Sequence, residues 1–112
     1  MEWTIFNDGA SIGQHGSENG VILRDDEHSF GARITLERGG HTAPFSITCS
    51  IYGWMFHTCF FGTQSEAEVV YEKMKDGLAM ILNIIPLETD PNADEKTELV
   101  SDEIVTFLEQ YP

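Results

Sequence analysis

A chain of 112 residues with 41% apolar and 11% aromatic side chains is long enough to bury one core, and that aromatic content excludes an intrinsically disordered segment. Nineteen acidic residues against six basic ones give a net charge of −13, which repels phosphate backbones and anionic membranes. Neither a nucleic-acid nor a membrane partner is expected.

The charge is uneven. Residues 1–62 hold seven acids and three bases, whereas residues 63–112 hold twelve acids and three bases. Self-repulsion among these acids predicts a melting temperature that rises from low to moderate salt, because counterions screen it. Calorimetric scans across that range check this; a flat or falling temperature contradicts it.

No window approaches the ~18 uninterrupted apolar residues of a membrane span; the apolar run at residues 78–87 is broken by Asn83 and Pro86. The first residues carry neither a basic region nor an apolar stretch of signal length. With no N-x-S/T acceptor, a reducing, cytoplasmic setting is expected.

In chain order, Trp3 to Phe6 predict a short strand. A glycine-rich stretch follows, with Gly9, Gly13, Gly16 and Gly20, and predicts a loop or irregular hairpin. Alternation at residues 20–24 and 29–38 predicts a hairpin turning through Asp25, Asp26, Glu27 and His28, with Leu23 opposite Phe30 and Val21 opposite Ala32. Ile34 and Leu36 then share one face, and Arg33, Thr35 and Glu37 the other. Phe45, Ile47, Cys49 and Ile51 continue the first face. A two-residue turn at Tyr52 and Gly53 would set Ile51 against Trp54, Cys49 against Phe56 and Phe45 against Phe60. Phe56 and Phe60 are then core, and Met55, His57, Cys59 and Phe61 lie on the back.

After Gly62 the apolar period changes from two to 3.6. Ala67, Val70, Tyr71, Met74, Leu78, Ile81 and Leu82 form one stripe of a helix of about five turns, capped by Thr63 with Glu66 or Ser65 with Glu68 and ended by Pro86. A second helix begins after Asp90, with Pro91 at its first position and Leu99, Val100, Ile104, Phe107, Leu108 and Tyr111 as its buried stripe. The expected fold is a single α+β domain over residues 1–112, a four- to five-stranded antiparallel sheet covered on one face by two C-terminal helices.

Four motifs fail on chemical grounds. Residues 9–13 match G-x-S-x-G, but a glycine-rich continuation cannot begin the helix that a nucleophile elbow requires. Residues 90–94 resemble the start of a calcium loop, yet Glu95 stands where the turn needs glycine and Ser101 where it needs a bidentate carboxylate. The glycines lack both the G-K-S/T ending and the dinucleotide spacing of a phosphate cradle. The carboxylates of Asp25, Asp26 and Glu27, at a wet hairpin tip, would not be pushed to the separated pKa values that acid–base work needs.

Cys49 and Cys59 form no C-x-x-C, and opposite faces would forbid a bridge between them. His57 and Cys59, two residues apart, are the weak candidates for a metal or thiol site, although structural zinc needs four ligands. No cofactor is expected and no catalytic motif survives. The sequence is read as a non-catalytic acidic interaction domain that binds or shields a protein partner and forms a homodimer, with Met55 and Phe61 at the centre of a back-face interface. The alternative is a small-molecule or metal-binding domain that uses Arg33, Thr48, His57 and Cys59 on the same face.

Overall fold

The computed structural model describes residues 2–112. Five antiparallel strands, β1 (Trp3–Ile5), β2 (Val21–His28), β3 (Ala32–Arg38), β4 (Phe45–Ile51) and β5 (Met55–Phe61), form a meander in sequence order. Two helices follow, α1 (Gln64–Ile84) and α2 (Ala93–Gln110). The fold is α+β, with the helices packed on one face of the sheet.

Alternation places the middle of the core. Ile34 pairs with Cys49 and Leu36 with Ile47, so one face of β3 and β4 is continuously apolar and buried. Helix α1 lies across β3, β4 and β5, covering that face with Ala67, Tyr71, Met74 and Leu78. Thr63 caps α1 by accepting the Glu66 amide at 3.3 Å. Gly77 lets α2 approach closely, since a Cβ there would meet the Phe107 ring at 3.1 Å. Helix α2 starts at Ala93 rather than at Pro91, which lies in the preceding turn. Val100 and Phe107 are its buried residues, whereas Leu99, expected in the buried stripe, is 56% exposed.

Two turns differ from expectation, and each moves side chains. Asp25 to His28 belong to β2, and the chain reverses at Ser29, Phe30 and Gly31, where Gly31 adopts φ +108°. Val21 therefore faces Arg38 and Asp25 faces Thr35, with an irregularity at Leu23. The second reversal spends three residues, Tyr52, Gly53 and Trp54, closed by the Trp54 amide donating to Ile51 at 2.9 Å with Gly53 at φ +80°. Ile51 then pairs with Met55, Cys49 with His57 and Phe45 with Phe61.

A one-residue slip moves every side chain of a strand to the opposite face. Met55, His57, Cys59 and Phe61 consequently lie on the helix-covered side, and Phe56 and Phe60 on the other. Phe56, expected in the core, is 72% exposed. In the dissociated chain, Phe56→Ala should therefore change stability by only about 0.5 kcal/mol. Urea titration checks this, and a loss of several kcal/mol would contradict the register.

Candidate functional site

The face away from the helices is occupied by the N-terminal segment. Residues 6–20 fold back on it as an irregular hairpin, with Gly13 donating to Ile22 at 2.9 Å and Ile22 donating to Gln14 at 2.9 Å. The back face, expected to form an interface, is thus partly covered by the chain itself.

Two buried carboxylates anchor the segment. Asp25, 1% exposed, accepts a fork from Arg33, Nε at 2.9 Å and Nη2 at 2.7 Å. It also accepts Thr35 Oγ1 at 3.1 Å and Ser11 Oγ at 2.8 Å. Arg33 further stacks on the Phe6 ring at 3.5 Å from its centroid, and the Asp25 hydrogen bonds hold the guanidinium pKa above its ordinary value. Ser11, the serine of the G-x-S-x-G match, is therefore a donor to a structural carboxylate.

Glu37 accepts the Gly20 amide at 3.0 Å and the Glu18 amide at 3.2 Å. A Cβ at Gly16 would come within 2.4 Å of the carboxylate carbon, so a side chain there would push Glu37 off these amides. Thr48 Oγ1 lies 3.1 Å from Thr58 Oγ1 and 3.4 Å from Ser17 Oγ. Between the segment and the sheet remains a cavity of about 170 Å³, whose wall includes Arg33, Thr35, Thr48, Ser50 and Phe56.

The six candidate residues are thus divided. Arg33 and Thr48 share this cavity wall, while Met55, His57, Cys59 and Phe61 face the helices. Met55 and Phe61 pack against the core cluster, so they cannot centre a back-face interface. His57 Nε2 donates to the Tyr111 carbonyl at 2.5 Å and Cys59 Sγ donates to the same oxygen at 3.2 Å. The pair fastens the end of α2 to β5. Among the described residues no three His, Cys, Asp or Glu side chains cluster to hold a metal ion.

Cys49 and Cys59 share a face, contrary to expectation, but as diagonal rather than opposed neighbours. Diagonal Cα atoms lie roughly 7–8 Å apart, at or beyond the reach of an unstrained disulfide. Burial pushes the Cys49 thiol up to about 12 and the Cys59 thiol up to about 11, so neither supplies thiolate near neutral pH. Alkylation without reductant should label both in urea and neither at a comparable rate in the native protein. Absence of label in urea, with a mapped Cys49–Cys59 bridge, would contradict this.

A second cluster lies where the edge of β2 meets α1. The Tyr71 hydroxyl donates to Asp26 at 2.7 Å and to the Ile34 carbonyl at 3.1 Å, and Lys75 approaches Asp26 at 3.5 Å. Burial and the Asp26 carboxylate both raise the Tyr71 pKa, so the phenol stays a donor and joins α1 to the sheet.

The helix connection carries an exposed apolar surface. Two adjoining depressions, of about 330 and 380 Å³, share Asn83, Ile85, Pro86 and Leu87. Leu99 lines one and Phe30 the other. Leu87 is 76% exposed. Pro86 cannot continue α1, so the chain leaves the helix with Leu87 facing water. Asp90, beside the groove, accepts Lys96 Nζ and the Asn92 amide, and these bonds hold its pKa below the ordinary value. The segment that resembled a calcium loop is a turn leading into α2. Glu88 follows Leu87, while Glu95, Asp102 and Glu103 stand one helical turn from Leu99.

Comparison with family models, with curated proteins and with solved structures finds no match.

Proposed function

We propose that this chain is a non-catalytic, self-associating interaction domain whose helical half binds a cationic protein segment. The observation that supports this most is the coincidence of an apolar groove with a strongly acidic helix at its border. Phe30, Leu87 and Leu99 leave large side chains in water, the Asp90–Lys96 ion pair lines the groove beside Leu99, and Glu95, Asp102 and Glu103 stand one turn from Leu99 along α2. Helix α2 alone carries six acids and one base. An amphipathic segment with Lys or Arg beside its apolar residues satisfies both parts, apolar contact supplying affinity and charge supplying steering and choice of partner.

The test is a calorimetric titration with a synthetic lysine- and leucine-rich amphipathic peptide. Binding should weaken as salt is raised and should fall at least tenfold in the Leu87→Asp, Leu99→Asp double variant. A glutamate-for-lysine version of the peptide should not bind. Equal binding of both peptides, or none of either, would overturn the reading.

The cavity bordered by Arg33 and Thr48 favours a second reading, a small polar ligand held by hydroxyls. Such a ligand would have to share a guanidinium already forked to Asp25 and stacked on Phe6.

A further inference from the structure

The two edges of the sheet differ in kind. β1 is three residues long, flanked by Glu2 and Asp8, and its neighbour β2 brings Glu27 opposite Thr4. Short length and flanking charge are the usual protections of an exposed edge against further pairing. β5 has neither. It is seven residues long, reads Met-Phe-His-Thr-Cys-Phe-Phe, and ends the sheet with no strand on its outer side. Alternate residues of β5 turn their N–H and C=O groups away from β4, and no backbone hydrogen bond outside the ladder engages residues 55–61 among the described residues.

Charge says what can cover this edge. Residues 39–65 contain no Asp, Glu, Lys or Arg, in a chain whose net charge is −13. Two copies of so anionic a chain repel each other over most of their surface. β4, β5 and their turns bring no Asp, Glu, Lys or Arg of their own to such a contact. β5 is also self-complementary. In an antiparallel pair centred on Thr58, Phe56 of one copy faces Phe60 of the other, twice, on the exposed side. An isologous two-fold contact requires this reciprocity.

We propose that β5 pairs antiparallel with β5 of a second copy, with the two-fold axis at Thr58, to make one continuous ten-stranded sheet. The pairing occupies the edge amides and shelters the two exposed phenylalanines of each copy. It rests on the reading of the chain as self-associating and specifies the surface, independently of the groove at Leu87 and Leu99.

Light scattering coupled to gel filtration tests it. The wild type should run at twice the 12.6 kDa chain mass. The Phe56→Lys, Phe60→Lys double variant should run at the mass of one chain, because lysines then face lysines across the axis. The same two positions changed to Glu should also give single chains, and an equimolar mixture of the two variants should restore the dimer. Both positions are exposed, so the fold should tolerate the changes, which circular dichroism checks. Mild oxidation of Thr58→Cys should give a covalent dimer, since directly opposed Cα atoms lie ~4.5–5.5 Å apart, within disulfide reach; Ser50→Cys on β4 should not. Wild type that remains a single chain overturns both the edge and self-association. A dimer that survives the lysine variant, with no crosslink through position 58, overturns the edge alone.

Discussion

Replacing Arg33 by methionine should lower stability by about 3 kcal/mol, the lower end of what removing one partner of a buried ion pair costs. The guanidinium supplies two of the four hydrogen bonds that Asp25 accepts and the only positive charge among them. Without it the buried carboxylate keeps only the neutral hydroxyls of Thr35 and Ser11. The lower end applies because the Arg33 side chain is itself partly in water. A domain of this size has ~5–15 kcal/mol in total, so the loss is a substantial fraction of it. The Asp25→Leu, Arg33→Met double variant should lose less than Arg33→Met alone, because no unpaired charge remains. Urea unfolding of the three proteins checks this; a double variant less stable than the single would show that the pair is not what the charge requires.

In the dissociated chain, Ile47→Ala should cost about 2–5 kcal/mol by urea titration, against about 0.5 kcal/mol for the larger side chain at Phe56. Ile47 is fully buried between Leu36 on β3 and Cys59 on β5, beneath the helical layer. Truncating it removes apolar contact and leaves a cavity that a three-stranded section of sheet cannot collapse to fill. The order of the two effects reverses what side-chain size alone would give. Equal losses would mean that β5 is paired out of register with β4.

The fold class and the faces of β3 and β4 were legible because a polar residue separates each apolar one there. β5 offered no such choice. Met55, Phe61, Phe56 and Phe60 put large apolar groups at both parities, so the face turned on whether the preceding loop spends two residues or three. Gly53 serves either length. The charges of Asp25, Asp26 and Glu27 read as a wet turn because what allows Asp25 and Asp26 into the structure, Arg33 and Tyr71, lies on other segments. Arg33 and Thr48 were legible as neighbours, since both sit on the polar parity of adjacent strands. The groove had a local signal in Pro86, which must end α1 and so strand Leu87. Leu99 was harder to place, because Val100 beside it takes the inward position. The six-residue candidate set divided between two faces for a single reason, the extra residue in the β4–β5 turn.

Amide hydrogen exchange with and without the lysine- and leucine-rich peptide tests the central claim most directly, because it reports where a cationic partner sits. Slowed exchange should be confined to residues 83–90, to the turn at Phe30 and to the turns of α2 around Leu99, with β2 to β4 unchanged. Protection centred instead on β5 or on the N-terminal segment, or no protection at saturating peptide, would contradict an acidic groove at the helix connection.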